Sequence, residues 1–219
     1  MCSIIGSFDK DSFEELVDIN QFRGNFSYSF SIYDINEKRV KEQTKGFGEF
    51  DKSLIKNAVS EPNVYYIGHL QAPTGGLLKE VNRIHPTIIE FDGDNSMCWH
   101  NGMLTSRGIK YLQKKLNTDE TFDTKLLHKA IISSDYVKLL SEVEGLFSCL
   151  FYDRDLYVFR TKHGKLFVDD DMSISSERFD NSKCINYETF YRMDFKNMKL
   201  SAGDKFTTAR YNIIIDGEL

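Results

Sequence analysis

The sequence predicts an α+β layered fold in which antiparallel sheets lie buried between helices. Three patterns point to it. Phe26, Tyr28, Phe30 and Ile32 alternate with Ser27, Ser29 and Ser31, the period of two that gives a strand one apolar face. Leu146-Phe-Ser-Cys-Leu-Phe-Tyr152 is almost wholly apolar, as a strand covered on both faces requires. Between these regions Leu104, Ile109, Leu112 and Leu116 recur at helical spacing, and two more helices are expected over 123–132 and 136–143.

The other elements follow in chain order. Cys2 to Phe8 opens the chain as a strand. Ser12-Phe-Glu-Glu15 has the form of a capping box, with Phe13, Leu16, Val17 and Phe22 on the apolar face of a short helix. After the strand at 26–32, Asp34-Ile-Asn-Glu37 is a turn and Val40 to Phe47 returns as a hairpin partner. Val64 to His69 is a strand that runs into a loop, Gln71 to Pro86, containing two adjacent glycines. Strands at Thr87–Phe91 and Ser96–His100 flank the turn Asp92-Gly-Asp-Asn95. Leu156–Arg160, Lys165–Val168, Ser173–Ser176 and Tyr211–Ile215 complete a strand-rich C-terminal half.

Composition bounds the function. Of 219 residues, 41% are hydrophobic and 13% aromatic, enough for a substantial core and incompatible with global disorder. The net charge of −5 leaves no basic stripe to neutralise phosphates, so nucleic acid is not an expected partner. No run approaches the ~20 apolar residues of a membrane helix, and no signal peptide is visible. Cys2, Cys98, Cys149 and Cys184 are irregularly spaced, which argues against a disulfide framework and for a reducing cytoplasm. With no repeat and no linker, residues 1–219 are expected to form one domain.

Several residues could do chemistry. Removal of Met1 would leave Cys2 with a thiol and a free α-amine on one residue. An amine of pKa ~7.7–8.0 beside a thiol of ~8.5 is a general base in place, so no histidine partner is required. On position alone, a small buried residue at a strand edge is the simpler reading of Cys2. His100-Asn-Gly102 is a turn signal, or else an oxyanion hole made from a carboxamide NH₂ and the following backbone N–H. Gly68 to Gly76 reads as a glycine-rich loop rather than a phosphate cradle, because no helix or lysine follows in place. Cys98 and His100 share one strand face without a second ligand pair, Asp169-Asp-Asp171 lacks the rest of a calcium loop, and Cys149 sits in the apolar strand. No metal and no cofactor are expected.

Taken in order along the chain, these segments resemble the glutaminase domain of class II glutamine amidotransferases, which are N-terminal nucleophile hydrolases. The family's opening Met-Cys-Gly-Ile-x-Gly is similar to Met1-Cys-Ser-Ile-Ile-Gly6. Its Arg-Gly-Pro-Asp-Ser segment resembles Arg23-Gly-Asn-Phe-Ser27 in part, and its Gly-His-x-Arg-aromatic-x-Thr-x-Gly loop resembles Gly68 to Gly76. Glu80-Val-Asn-Arg-Ile-His-Pro86 looks like the Glu-Val-Asn-x-His-Pro of glucosamine-phosphate synthases with one residue added. His100–Gly102, Asp123-Thr-Lys125, Glu144-Gly-Leu-Phe147 with Leu156–Arg160, and Ser175-Ser-Glu177 follow in the family's order.

The resemblance implies a four-layer αββα sandwich and a set of roles. Cys2 would attack the glutamine carboxamide, the Asn101 side chain and Gly102 N–H would hold the oxyanion, and Asp123 would receive the α-ammonium. Thr74 and Gly76 would shape the pocket near the α-carboxylate. The released ammonia would pass to a separate synthetase partner. Gln71 stands where the family has its carboxylate-binding arginine, and Ala72 where the aromatic follows; the Gln71 amide would still give the substrate one or two hydrogen bonds but no charge, so Arg83 or Arg107 is expected to supply that. Two alternatives keep the fold: an amidohydrolase acting on another carboxamide or N-acyl compound, and a non-catalytic binding or regulatory member.

Overall fold

The computed structural model describes residues 2–58, 61–73, 80–91 and 93–208. The chain opens with β1 (Ser3–Ser7) and α1 (Lys10–Asn20), then the hairpin β2 (Ser27–Asp34) and β3 (Arg39–Phe47). A short α2 (Ser53–Asn57), β4 (Val64–Gln71), β5 (Thr87–Phe91) and β6 (Asp94–Leu104) follow. Three helices come next, α3 (Ser106–Leu116), α4 (Asp123–Ile131) and α5 (Tyr136–Glu142). The rest is strand: β7 (Gly145–Asp153), β8 (Asp155–Arg160), β9 (Phe167–Val168), β10 (Ile174–Ser175), β11 (Lys183–Cys184), β12 (Thr189–Asp194) and β13 (Lys199–Lys205).

These strands make two sheets. One runs β11-β9-β10-β1-β4-β2-β3 and the other β13-β12-β8-β7-β6-β5. Ile4, Tyr65 and Ile67 of the first meet Trp99, Leu150 and Val158 of the second in a core between the sheets. The outer face of the first sheet, with Ile5, Phe30 and Tyr66, is covered by Phe13, Leu16 and Val17 of α1. Leu112, Leu126, Leu127 and Leu140 of α3–α5 cover Phe147, Cys149 and Phe159 of the second. The result is helix, sheet, sheet, helix. Each fully buried side chain of this kind contributes roughly 1.5–3 kcal/mol. No helix among the described residues is long and apolar enough to cross a membrane.

Local chemistry sets the boundaries. Asp9, rather than Ser12, caps α1, with its Oδ1 accepting the Ser12 N–H at 2.8 Å. Thr105 caps α3 through Gly108, and Asn117 ends that helix in the left-handed region. Two expected boundaries differ. Asn101–Gly102 lie inside β6 and do not make a turn, because β7 pairs with β6 all the way to Leu104 opposite Gly145. Leu104 is therefore a strand residue, and α3 begins at Ser106. The short strands β11–β13 and the helix α2 carry too little apolar periodicity to be seen beforehand. The strand expected at 211–215 lies outside the described residues.

His128 joins α4 to the β5–β6 hairpin. Ser96 Oγ donates to the Ile89 carbonyl, so it accepts from His128 Nε2 at 2.8 Å, while Thr87 Oγ1 lies 2.8 Å from Nδ1. Burial pushes this imidazole from 6.5 down to about 3. Between those values the unfolded chain binds a proton that the folded chain does not, so stability is complete above pH 6.5 and is lost as pH falls. Urea unfolding at stepped pH should show a loss of about 1.4 kcal/mol per pH unit from this residue, and His128→Gln should flatten the slope.

Candidate active site

Cys2 precedes β1, the central strand of its sheet, and is 5% exposed. The β1–β4 register pairs Ser3 with Leu70, which carries Cys2 to the end of β4 at Gln71. Burial pushes the Cys2 thiol up, and the nearby Asp123 carboxylate adds to the rise. The Ala72 N–H, which donates to the sulfur, and the Arg23 guanidinium pull the other way. The thiol is therefore protonated at neutral pH and needs a base to become a nucleophile.

Asn101 sits on the face of β6 directed at the other sheet. Its Nδ2 donates to Ser176 Oγ at 3.0 Å, and the Ile4 N–H donates to the same oxygen at 2.9 Å. One hydroxyl thus joins the cysteine-bearing strand to the asparagine-bearing one, and the second N–H of the carboxamide is left for another acceptor. Gly102 has φ +141°, and a Cβ there would stand 1.9 Å from the Leu146 carbonyl oxygen and 2.7 Å from Phe147 Cα. Only glycine fits.

Asp123 begins α4 and accepts from the Leu104 N–H at 3.3 Å and the Thr124 N–H at 2.8 Å, so it lies beside the end of β6. Arg83 stacks its guanidinium over the neighbouring Phe122 ring at 5.8 Å and pairs with Glu80 at 3.1 Å. Gln71 is buried, and its carboxamide is engaged on both sides. Ser27 Oγ donates to its Oε1, and its Nε2 donates to the Arg83 carbonyl, each at 3.0 Å. Arg107 is exposed in the first turn of α3. Cys2, Gln71, Arg83, Asn101, Gly102 and Asp123 are thus linked through successive contacts at one end of the sandwich. Thr74 and Gly76 lie outside the described residues.

Three residues gain a role that the sequence did not assign. Arg23 is buried, donates from Nε to the Cys2 carbonyl at 3.0 Å and forms an ion pair with Glu177. Ser176, next to Glu177, is the shared hydroxyl. Both segments were visible as partial motifs, but their meeting depends on the β1–β10 pairing of Ile5 with Ser175. A cleft of about 1060 Å³ opens near the opposite end of β1, beside Ser7, Tyr33, Asp155 and Phe195, and includes none of the candidate site residues. Among the described residues no His, Cys, Asp and Glu group is arranged to hold a metal ion.

The fold is the αββα sandwich of two sheets that the resemblance implied. It is shared with the solved structure of glutamine phosphoribosylpyrophosphate amidotransferase from B. subtilis, at 16% identity and a TM-score of 0.70, over 95% of this chain. A second structure, described as the allosteric regulatory enzyme of purine biosynthesis, matches at 16% identity and a TM-score of 0.69, also over 95% of the chain. The chain spans 50% of the length of each. No family model matches the chain, and no curated protein matches it by sequence.

Replacing Gly102 with alanine should destabilise the fold by about 3 kcal/mol or more, through overpacking and a strained backbone. Chemical denaturation of the purified variant reads this directly, and a change within about 0.5 kcal/mol would contradict the steric argument.

Proposed function

We propose that the chain is a class II glutaminase that hydrolyses the side-chain amide of glutamine and supplies ammonia to a separate synthetase. The observation that carries this reading is the Ser176 hydroxyl, which ties the strand behind Cys2 and the carboxamide of Asn101 to one atom. The fold shared with an amidotransferase that has glutamine in its name supports it.

In this reading Met1 is removed and the α-amine of Cys2 takes the thiol proton, directly or through one water. The sulfur attacks the γ-carbon of glutamine, and the oxyanion is held by the free Asn101 N–H and the Gly102 amide. Such donors are each worth roughly 2.7–4 kcal/mol in the transition state. Collapse expels ammonia, which carries away the proton, and leaves a thioester. Water then cleaves the thioester to glutamate and free thiol. Asp123 receives the α-ammonium. Arg83 receives the α-carboxylate in place of the family arginine, while Gln71 serves it from behind by holding its carbonyl. Thr74 and Gly76 are assigned to the same pocket by the family motif alone. All four cysteines are free thiols, which suits a cytoplasmic setting.

Intact mass with and without 6-diazo-5-oxo-L-norleucine tests the nucleophile. The expected result is a chain lacking Met1, one adduct on Cys2, and no ammonia release from Cys2→Ala. Retained Met1 with no adduct would overturn the reading. Arg83→Ala should raise the glutamine KM by about tenfold with kcat nearly unchanged, since it removes uniform binding. The engaged carboxamide of Gln71 favours one second reading, an amidohydrolase for a substrate without an α-carboxylate. A panel of simple amides cleaved faster than glutamine would establish that instead.

A further inference from the structure

Strand β6 outruns its neighbour. Its pairing with β5 stops at Thr87 opposite Cys98, although β6 continues to Leu104. Extending that register puts position 85 opposite His100, but residues 84–86 are not in a strand and Pro86 has no N–H to offer. The N–H and C=O of His100 would then be orphaned at a buried strand edge, which is unfavourable without replacement partners.

Two imidazoles replace the missing strand. The His100 N–H donates to His85 Nδ1 at 3.0 Å, and His69 Nε2 donates to the His100 carbonyl at 2.9 Å. The His69 and His85 rings stack at 4.1 Å with 7° between their planes. Accepting an N–H requires a bare Nδ1 on His85, so its proton is on Nε2, 3.3 Å from Thr124 Oγ1. His69 must carry its proton on Nε2. Burial keeps both rings neutral, lowering His69 to about 3 and His85 well below its usual 6.5. The segment that carries His85 is itself held from the opposite sheet. Lys45 Nζ donates to the Ile84 carbonyl at 2.7 Å and the Pro86 carbonyl at 2.6 Å, and Gln71 holds the Arg83 carbonyl.

We propose that His85 and His69 are positioning residues that clamp the His100 peptide and so aim the Asn101–Gly102 oxyanion donors. The carbonyl gripped by His69 belongs to the peptide unit that also carries the Asn101 N–H, so fixing it fixes the plane from which Asn101 and Gly102 project. Donors of this kind lose their value when displaced by about 0.5 Å. The proposal rests on the glutaminase reading for its catalytic readout, but not for its structural one.

The decisive comparison is His85→Asn with His85→Gln. Asparagine places its carbonyl oxygen where Nδ1 stood, whereas glutamine reaches only to the Nε2 position and leaves the His100 N–H unpaired. With glutamine as substrate, His85→Gln should lower kcat by about 10²-fold with KM within about twofold, and His85→Asn should stay within about fivefold of wild type. His69→Gln, which keeps a donor at the Nε2 position, and His69→Leu should divide in the same way. Equal kcat for the two members of both pairs overturns the proposal. In the wild-type protein, a ¹⁵N–¹⁵N coupling across the hydrogen bond from the His100 amide to His85 Nδ1 should be observed by NMR. Its absence overturns the clamp whatever the activity. A coupling present in a wild-type protein that releases no ammonia from glutamine keeps the clamp, overturns the glutaminase reading, and removes the catalytic role with it.

Discussion

The Ser176 hydroxyl oxygen receives the backbone N–H of Ile4 and the side-chain N–H of Asn101, and its own residue returns an N–H to the Ile4 carbonyl. Much of the interface between the sheets is apolar, and such packing is tolerant of small shifts. A shared acceptor is not tolerant in that way: two donors at 2.9 and 3.0 Å leave little freedom in the spacing between β1 and β6. The cysteine end of β1 and the Asn101–Gly102 portion of β6 are consequently parts of one rigid arrangement. Arg23 extends it by holding the Cys2 carbonyl, with Glu177 neutralising the buried guanidinium.

Polarity in this molecule is concentrated where the sandwich runs out of strand. At the centre each sheet has neighbours on both sides and its backbone groups are paired in the ladder. At the site end β5 has stopped, the segment at 84–86 is irregular, and imidazole, ammonium and carboxamide groups take over the duties of missing backbone. The same solution appears four times, with His85 on the His100 N–H, His69 on the His100 carbonyl, Lys45 on the carbonyls of Ile84 and Pro86, and Gln71 on that of Arg83. Side chains so engaged are removed from direct chemistry and bring order to those that remain available.

Much of the architecture was legible in the sequence because its signals are local. The serine–aromatic alternation in β2, the apolar run of β7 and the capped helical stretches each declare themselves within ten residues or so. The site was legible only in pieces. Cys2, Asn101, Gly102 and Asp123 could be singled out by their chemistry and the family motif. The roles of their supports could not, since Ser176, Glu177 and Lys45 reach the site only when segments distant in sequence come together. Asn101-Gly102 misled as a turn because its turn signature is local, whereas its strand conformation is imposed by β7. Gln71 was expected to touch substrate, and the structure gives its carboxamide two protein partners; nothing in the spacing of the loop reveals that Ser27 would be one of them.

Strand β3 closes one margin of the seven-stranded sheet and carries Arg39, Lys41, Glu42 and Lys45 along its length. An open margin is where a second molecule could add its own strand and begin an aggregate. Here such an addition would have to strip water from Arg39 and Glu42 and prise Lys41 from Asp34 and Glu61. It would also compete for Lys45, already committed to the carbonyls beside His85. The residue that braces the interior thus also guards the rim, making fibre-like growth along this side unfavourable.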